Sequence, residues 1–166
     1  MKSIVKLKKE REDFFVHLYY ELKASTKIET MKEYVQHGET TCLEHSIAVA
    51  YYSYCLVQLL HIRCDERSLV RGALLHDYFL YDWHVKDKSH SLHGFYHAAR
   101  SLNNAKRDTD INAIEADMIK HHMFPLNISP PRTREAIIIC LIDKVCSIYE
   151  LRRKRRYAML SQLLAI

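Results

Sequence analysis

Three features of the chain predict an all-α fold. There are only three glycines and three prolines in 166 residues, hydrophobic residues make up 48% of the total, and they recur at helical spacing along most of the length. At this length one domain can bury a core without disulfides or a structural metal. The five cysteines, Cys42, Cys55, Cys64, Cys140 and Cys146, are odd in number and show no CxxC spacing. Neither a disulfide framework nor a zinc ribbon is expected, and the thiols should be reduced and mostly buried. The opening residues lack the apolar run of a signal peptide, and no window approaches the roughly 20 apolar residues needed to span a bilayer. The expected compartment is the cytoplasm, with no membrane contact.

Taken in order, residues 8–24 and 28–36 carry apolar side chains at helical spacing, and His37-Gly38 supplies a helix stop. Residues 1–38 are therefore predicted as N-terminal helices ahead of a core over 40–150, with a basic C-terminal helix over 151–166, all in a single domain. Thr41-Cys42-Leu43-Glu44 reads as a capping box, so a helix begins at Cys42. That helix is apolar nearly all round as far as Leu60, which predicts a central, buried position. Asp65 can cap a helix over 66–77. The stretch 78–90 mixes aromatics with charges and reads as a loop with a helical turn. Further helices are predicted over 91–104, 110–122, 131–150 and 152–164, with Asp110 as one cap and Ser129, followed by Pro130 at the first helical position, as another.

Lys and Arg outnumber Asp and Glu by 25 to 20, a formal charge of +5, and the run Arg152, Arg153, Lys154, Arg155, Arg156 concentrates cations at one end. Such a cluster can attract phosphates, but the simpler reading is the solvated face of the last helix. Nucleic acid is not an expected partner; a homodimer stays open.

The chemistry lies in the histidines. Seven of the eleven, His76, His84, His90, His93, His97, His121 and His122, fall between residues 76 and 122. Imidazole and carboxylate are the ligands preferred by Fe, Mn, Zn, Ni and Co. His76-Asp77 ends a strongly apolar helix, where a charge is costly unless a metal or partner satisfies it. His45 begins another buried helix, and Asp143 interrupts the apolar run from Ala136 to Cys146. Taken singly, each is compatible with a buried polar group satisfied by the backbone.

Together they form an order of His, then His-Asp, then a distant helical Asp. That order, with the phrases LEHSIAVA, GALLHD and CLIDKVCSIYE, resembles the HD superfamily of metal-dependent phosphohydrolases over roughly residues 40–150. The resemblance implies a helical bundle with a metal site between its central helices. It also implies His45, His76, Asp77 and Asp143 as ligands of a first divalent ion, with Asp77 orienting the nucleophilic water. LHGF at 92–95 and IKHHM at 119–123 sit where two-metal members place further ligands, nominating His93 and His122. His97, one helical turn after His93, and His121 are further candidates. The layout is similar to bacterial HD hydrolases of dinucleoside polyphosphates, although Met123 stands where those have Thr. The Gly-Tyr-Pro signature of the cyclic-dinucleotide branch is absent.

The expected cofactor is thus one or two divalent ions (Fe, Mn, Zn, Ni, Co or Mg). The expected substrate is a nucleotide or a related small phosphorylated metabolite. Arg132 and Lys144 are the candidate phosphate contacts, with Arg134 adding to the field. Tyr78, Phe79, Tyr81 and Trp83 either wall a nucleobase pocket or belong to the core. Two other readings keep the same ligands: a regulatory module that binds metal or nucleotide without turnover, and a di-iron oxygenase of the HD type.

Overall fold

In the computed structural model, which describes residues 6–85, 92–152 and 157–164, helix α2 (Cys42–Leu59) is the axis of the fold. Its start is the capping box read from the sequence. The Thr41 hydroxyl accepts the Glu44 N–H at 3.2 Å, and the Glu44 carboxylate accepts the Thr41 N–H at 2.9 Å. Around α2 stand α1 (Lys9–Ser25), α3 (Glu66–Leu75), α4 (His93–Asp108), α5 (Ala113–His121), α6 (Arg134–Arg152) and α7 (Ala158–Leu164). Helices α3 and α6 pack directly on α2, α5 bridges α3 and α6, and α4 lies on α5.

One buried cluster runs through α1, α2, α3, α5 and α6, with Phe15, Leu18, Tyr51, Tyr54, Leu69, Leu74 and Ile139 at its centre. Each aliphatic or aromatic side chain sealed this way contributes about 1.5–3 kcal/mol from the transfer of apolar surface out of water. Gly72 has a packing reason: a Cβ there would stand 2.7 Å from Met118 Sδ and 3.4 Å from Glu115 Cα, so a larger residue would displace the Met118 side chain from between α3 and α5. Among the described residues no helix is long and apolar enough to cross a membrane. All five cysteines are free, and Cys64 alone among them is not fully buried.

Several boundaries differ from the sequence reading, each for a local reason. Residues 28–36 are not one α-helix: a 3-10 helix (Ile28–Glu33) leads into strand β1 (Val35–His37), which pairs antiparallel with β2 (Thr40–Thr41). Ile28, Met31 and Tyr34 are spaced by three, which suits three residues per turn as well as an α-helix. Gly38, read as a helix stop, has φ +60° and turns this hairpin. Asn112, not Asp110, caps α5 in a second capping box with Glu115, while the Asp110 carbonyl accepts a bond from Arg71.

Ser129 and Pro130 do not start α6. Asp117 accepts the N–H groups of Arg132 and Thr133, which delays the helix, and the Thr133 hydroxyl then accepts the Ala136 N–H at 3.2 Å. Helix α3 stops at Leu75, placing His76 and Asp77 in the turn just beyond it. Helix α4 runs on to Asp108, past the expected end at 104. Among the described residues the last helix spans Ala158–Leu164; His90 and the basic residues 153–156 lie outside the described residues.

Candidate metal centre

Four imidazoles and two carboxylates meet where α2, α6 and the ends of α3 and α5 converge with α4. His45 lies in the first turn of α2, His76 and Asp77 follow α3, His97 is one turn into α4, His122 follows α5, and Asp143 sits at mid-α6. All six side chains are buried. His45 Nε2 is 3.0 Å from Asp143 Oδ1 and 3.7 Å from Asp77 Oδ2. His76 Nε2 stands 3.4 Å from Asp77 Oδ2 and 3.8 Å from Asp143 Oδ1. Asp77 Oδ1 faces the other side, 3.3 Å from His97 Nε2 and 3.5 Å from His122 Nε2.

Every one of these rings has its Nδ1 committed elsewhere. In His76, His97 and His122 it donates to the backbone carbonyls of Ala73, His93 and Ile119 at 2.8, 2.9 and 2.8 Å. A carbonyl only accepts, so Nδ1 carries the proton and the Nε2 lone pair points into the cluster, the tautomer a metal ligand needs. In His45 the corresponding partner is the Glu150 carboxylate, 3.0 Å from Nδ1. Glu150 in turn accepts the Tyr157 hydroxyl at 2.8 Å.

The donor set fits a cation on three further observations. His97 and His122 bring two Nε2 lone pairs to 2.9 Å of each other, which is repulsive unless positive charge lies between or beside them. His76 Nε2 and Asp77 Oδ1 are buried without a hydrogen-bond partner, a costly state for polar atoms. Two ligand triads have donor atoms within 4.8 Å of one another: His45, His76 and Asp143, and His76, Asp77 and His122. Among the described residues these triads share His76, whose one free Nε2 can serve a single ion, whereas Asp77 presents Oδ2 to His45 and His76 and Oδ1 to His97 and His122.

The field of the cluster shows in its titration. Burial alone would raise the Asp77 carboxyl, but His76, His122 and His97 outweigh it and hold the group well below the usual carboxylate range. Burial would likewise raise Asp143, and contact with His45 and His76 pulls it down. For His45 burial favours the neutral ring, yet the hydrogen bonds to Asp143 and Glu150 keep it well above the usual imidazole value. His122 is lowered, chiefly by its burial. Both carboxylates are thus ionised and ready to ligate.

The cluster opens into a cavity of about 630 Å³ whose lining includes Gln36, His37, Trp83, His93, Met123, Leu126, Lys144 and Ser147. His93 stands on this wall, half-buried, with Nδ1 2.7 Å from the Tyr81 hydroxyl and its ring stacked on His97 at 4.5 Å. It is His97, one turn deeper, that reaches Asp77. His121 turns away to Asp117 at 2.7 Å, because adjacent residues at a helix end diverge by about 100° and only one can face the cluster.

Arg132 is exposed and outside the cavity lining, and Arg134 donates to the Arg63 carbonyl. Lys144 does line the cavity, its Nζ held by the carbonyls of His122 and Cys140 at 3.0 and 2.9 Å. Tyr78 and Phe79 belong to the core, whereas Trp83 reaches the cavity wall.

Three participants were not found from sequence. Glu150 lies two helical turns after Asp143 and therefore on the same face, a spacing that could have revealed it. Gln36, whose Nε2 donates to Asp77 Oδ2 at 2.5 Å, and His37, whose ring is 5.7 Å from that of His45, come from the hairpin and left no such signal. A family model described as HD domain matches residues 42–148. No curated protein and no solved structure gives a match.

Proposed function

The chain belongs to the HD domain family, which is one of metal-dependent phosphohydrolases, and we propose that it hydrolyses a phosphoester or phosphoanhydride bond of a nucleotide or related small phosphorylated metabolite. The observation that carries this reading is the set of four imidazoles, each with Nδ1 tied and Nε2 directed at Asp77 or Asp143, beside a cavity of nucleotide dimensions. His45, His76, Asp77 and Asp143 would hold one divalent ion, and Asp77, His97 and His122 a second. When bound, such ions acidify a water and neutralise charge developing on a phosphoryl group.

The chain's own groups do the rest. Gln36 donates to Asp77 Oδ2 and so fixes the carboxylate, leaving Oδ1 to orient a water for in-line attack. Lys144, positioned by two carbonyls on the cavity wall, offers its charge to the substrate phosphate. Burial of the cluster keeps bulk water away and strengthens each of these contacts.

Elemental analysis of protein purified without chelator, joined to phosphate release from a panel of nucleotides and sugar phosphates, tests the proposal. Bound metal with release that vanishes in Asp77→Ala supports it. Bound iron with oxygen-dependent turnover and no phosphate release would replace it by the oxygenase reading, and metal without any turnover by the regulatory one.

A further inference from the structure

Helix α6 is inverted relative to an ordinary surface helix. Its three acidic residues between Glu135 and Leu151, namely Glu135, Asp143 and Glu150, are buried, and its exposed positions over the same span are all aliphatic. These are Ile137, Leu141, Val145, Ile148 and Leu151, with 47, 59, 56, 52 and 70% of their surface in water. A surface helix normally shows charge on its outer face. Here the outer face is a continuous apolar stripe with steps of 4, 4, 3 and 3 residues, an average of 3.5, the repeat of a helix that packs lengthwise on another helix.

We propose that this stripe is the contact between two copies of the chain, paired antiparallel through α6 about a two-fold axis near Val145. A two-fold interface must be self-complementary, and the stripe is: read in reverse it gives Leu, Ile, Val, Leu, Ile against Ile, Leu, Val, Ile, Leu. Ile137 then meets the partner's Leu151, Leu141 meets the partner's Ile148, and Val145 meets its own copy. The stripe exposes on the order of 500 Å², at the upper end of what a monomer leaves in one patch. Two such stripes together remove about 1,000 Å², the area at which a specific interface separates from an incidental one.

Between Ile137 and Leu151 charge does not oppose the pairing; the exposed Arg134 and Arg152 lie beyond the stripe, so like charges approach only at its two solvated ends. Lys144, the cation within the seam's length, is turned aside, its ammonium held by the carbonyls of His122 and Cys140. Antiparallel α6 helices also set opposite dipole ends side by side. Because Lys144 and Ser147 line the cavity on the flank of the stripe, pairing would set the two cavities beside the interface.

Sedimentation equilibrium of the full chain at micromolar concentration is expected to show a dimer. Leu141→Glu combined with Val145→Glu is expected to give a monomer that keeps the wild-type helical circular dichroism and metal content. Val145→Cys, which leaves the fold untouched, should cross-link to its own copy with a short bis-maleimide, whereas Ile137→Cys should not, with the wild-type chain as control for its native thiols. A wild-type monomer throughout the micromolar range overturns the inference. So does a dimer that survives the paired glutamates, or an Ile137→Cys variant that cross-links as readily as Val145→Cys.

Discussion

The two walls of the candidate metal site are held by different means. On the inner wall His45 is fixed by Glu150, 105 residues away, and Glu150 by Tyr157, so the ring's orientation depends on the packing of α2 against α6 and the start of α7. On the outer wall His97 and His122 are fixed by carbonyls of their own helices, three or four residues back. The inner wall is thus a product of tertiary contacts and is vulnerable to a single distant side chain. The outer wall is locally built and depends on how α4 and α5 are seated. Asp77 belongs to both, with Oδ2 toward His45 and His76 and Oδ1 toward His97 and His122.

The largest effect should come from that shared residue and from His76 beside it. Asp77→Ala is expected to empty both ion positions and His76→Ala the inner one, each lowering turnover about 10⁴-fold, as loss of a group acting within a catalytic set does; an Asp77→Ala variant that keeps full metal content would break the division into two sites with a common edge. Glu150→Gln should weaken metal binding by roughly 10–100-fold, the usual cost of removing a carboxylate behind a ligating imidazole, and should also lower the melting temperature of the metal-free protein, because the buried His45 loses a charged partner. Tyr157→Phe should act in the same direction and less strongly. Isothermal titration with Mn²⁺ or Zn²⁺ reads both, and an effect of Glu150→Gln on the outer ion alone would reverse the assignment.

On the outer wall, His97→Ala should remove about one equivalent of metal, whereas His93→Ala should leave stoichiometry unchanged and alter only substrate affinity. Equal losses in the two would mean that His93 ligates after all. The smallest effect concerns the seating of α5. Asp117 joins it to the start of α6 by accepting from Arg132, Thr133 and His121, and Asp117→Ala should cost about 1–3 kcal/mol in denaturant unfolding. Burial would raise the Asp117 carboxyl, but the N–H groups of Thr133 and Arg132 outweigh it and depress the folded value. Its contribution is therefore present above the ordinary aspartate range, near about 4, and is lost as pH falls through the lower folded value. The variant should lack that part of the acid-unfolding slope.

The helices were legible wherever a cap and a buried face agreed, as at Thr41 and Asp65. They were misread where a side chain from another element competed. Asp117 took the N–H groups that would have started α6 earlier, and the hairpin after Glu33 drew residues with three-residue spacing out of a helix. The same division holds in the site. His45, His76, Asp77 and Asp143 stood out because polar residues interrupted apolar runs, while Gln36, His37 and Glu150 sit in segments where a polar residue is unremarkable.

Composition and periodicity were enough for an all-helical chain, a buried α2 and the buried polar positions that interrupt apolar runs, since these follow from local propensity and from the cost of placing charge among apolar residues; it was the resemblance to the HD superfamily that made those positions candidate metal ligands. Packing was needed to choose His122 over His121, to put His97 ahead of His93, to recruit Glu150 and Gln36, and to leave the stripe on α6 facing outward. Each of those outcomes depends on the rotation of one helix against another. Such a rotation is set by the contacts of the whole core, and a one-dimensional pattern fixes spacing along a helix without fixing the direction in which its face points.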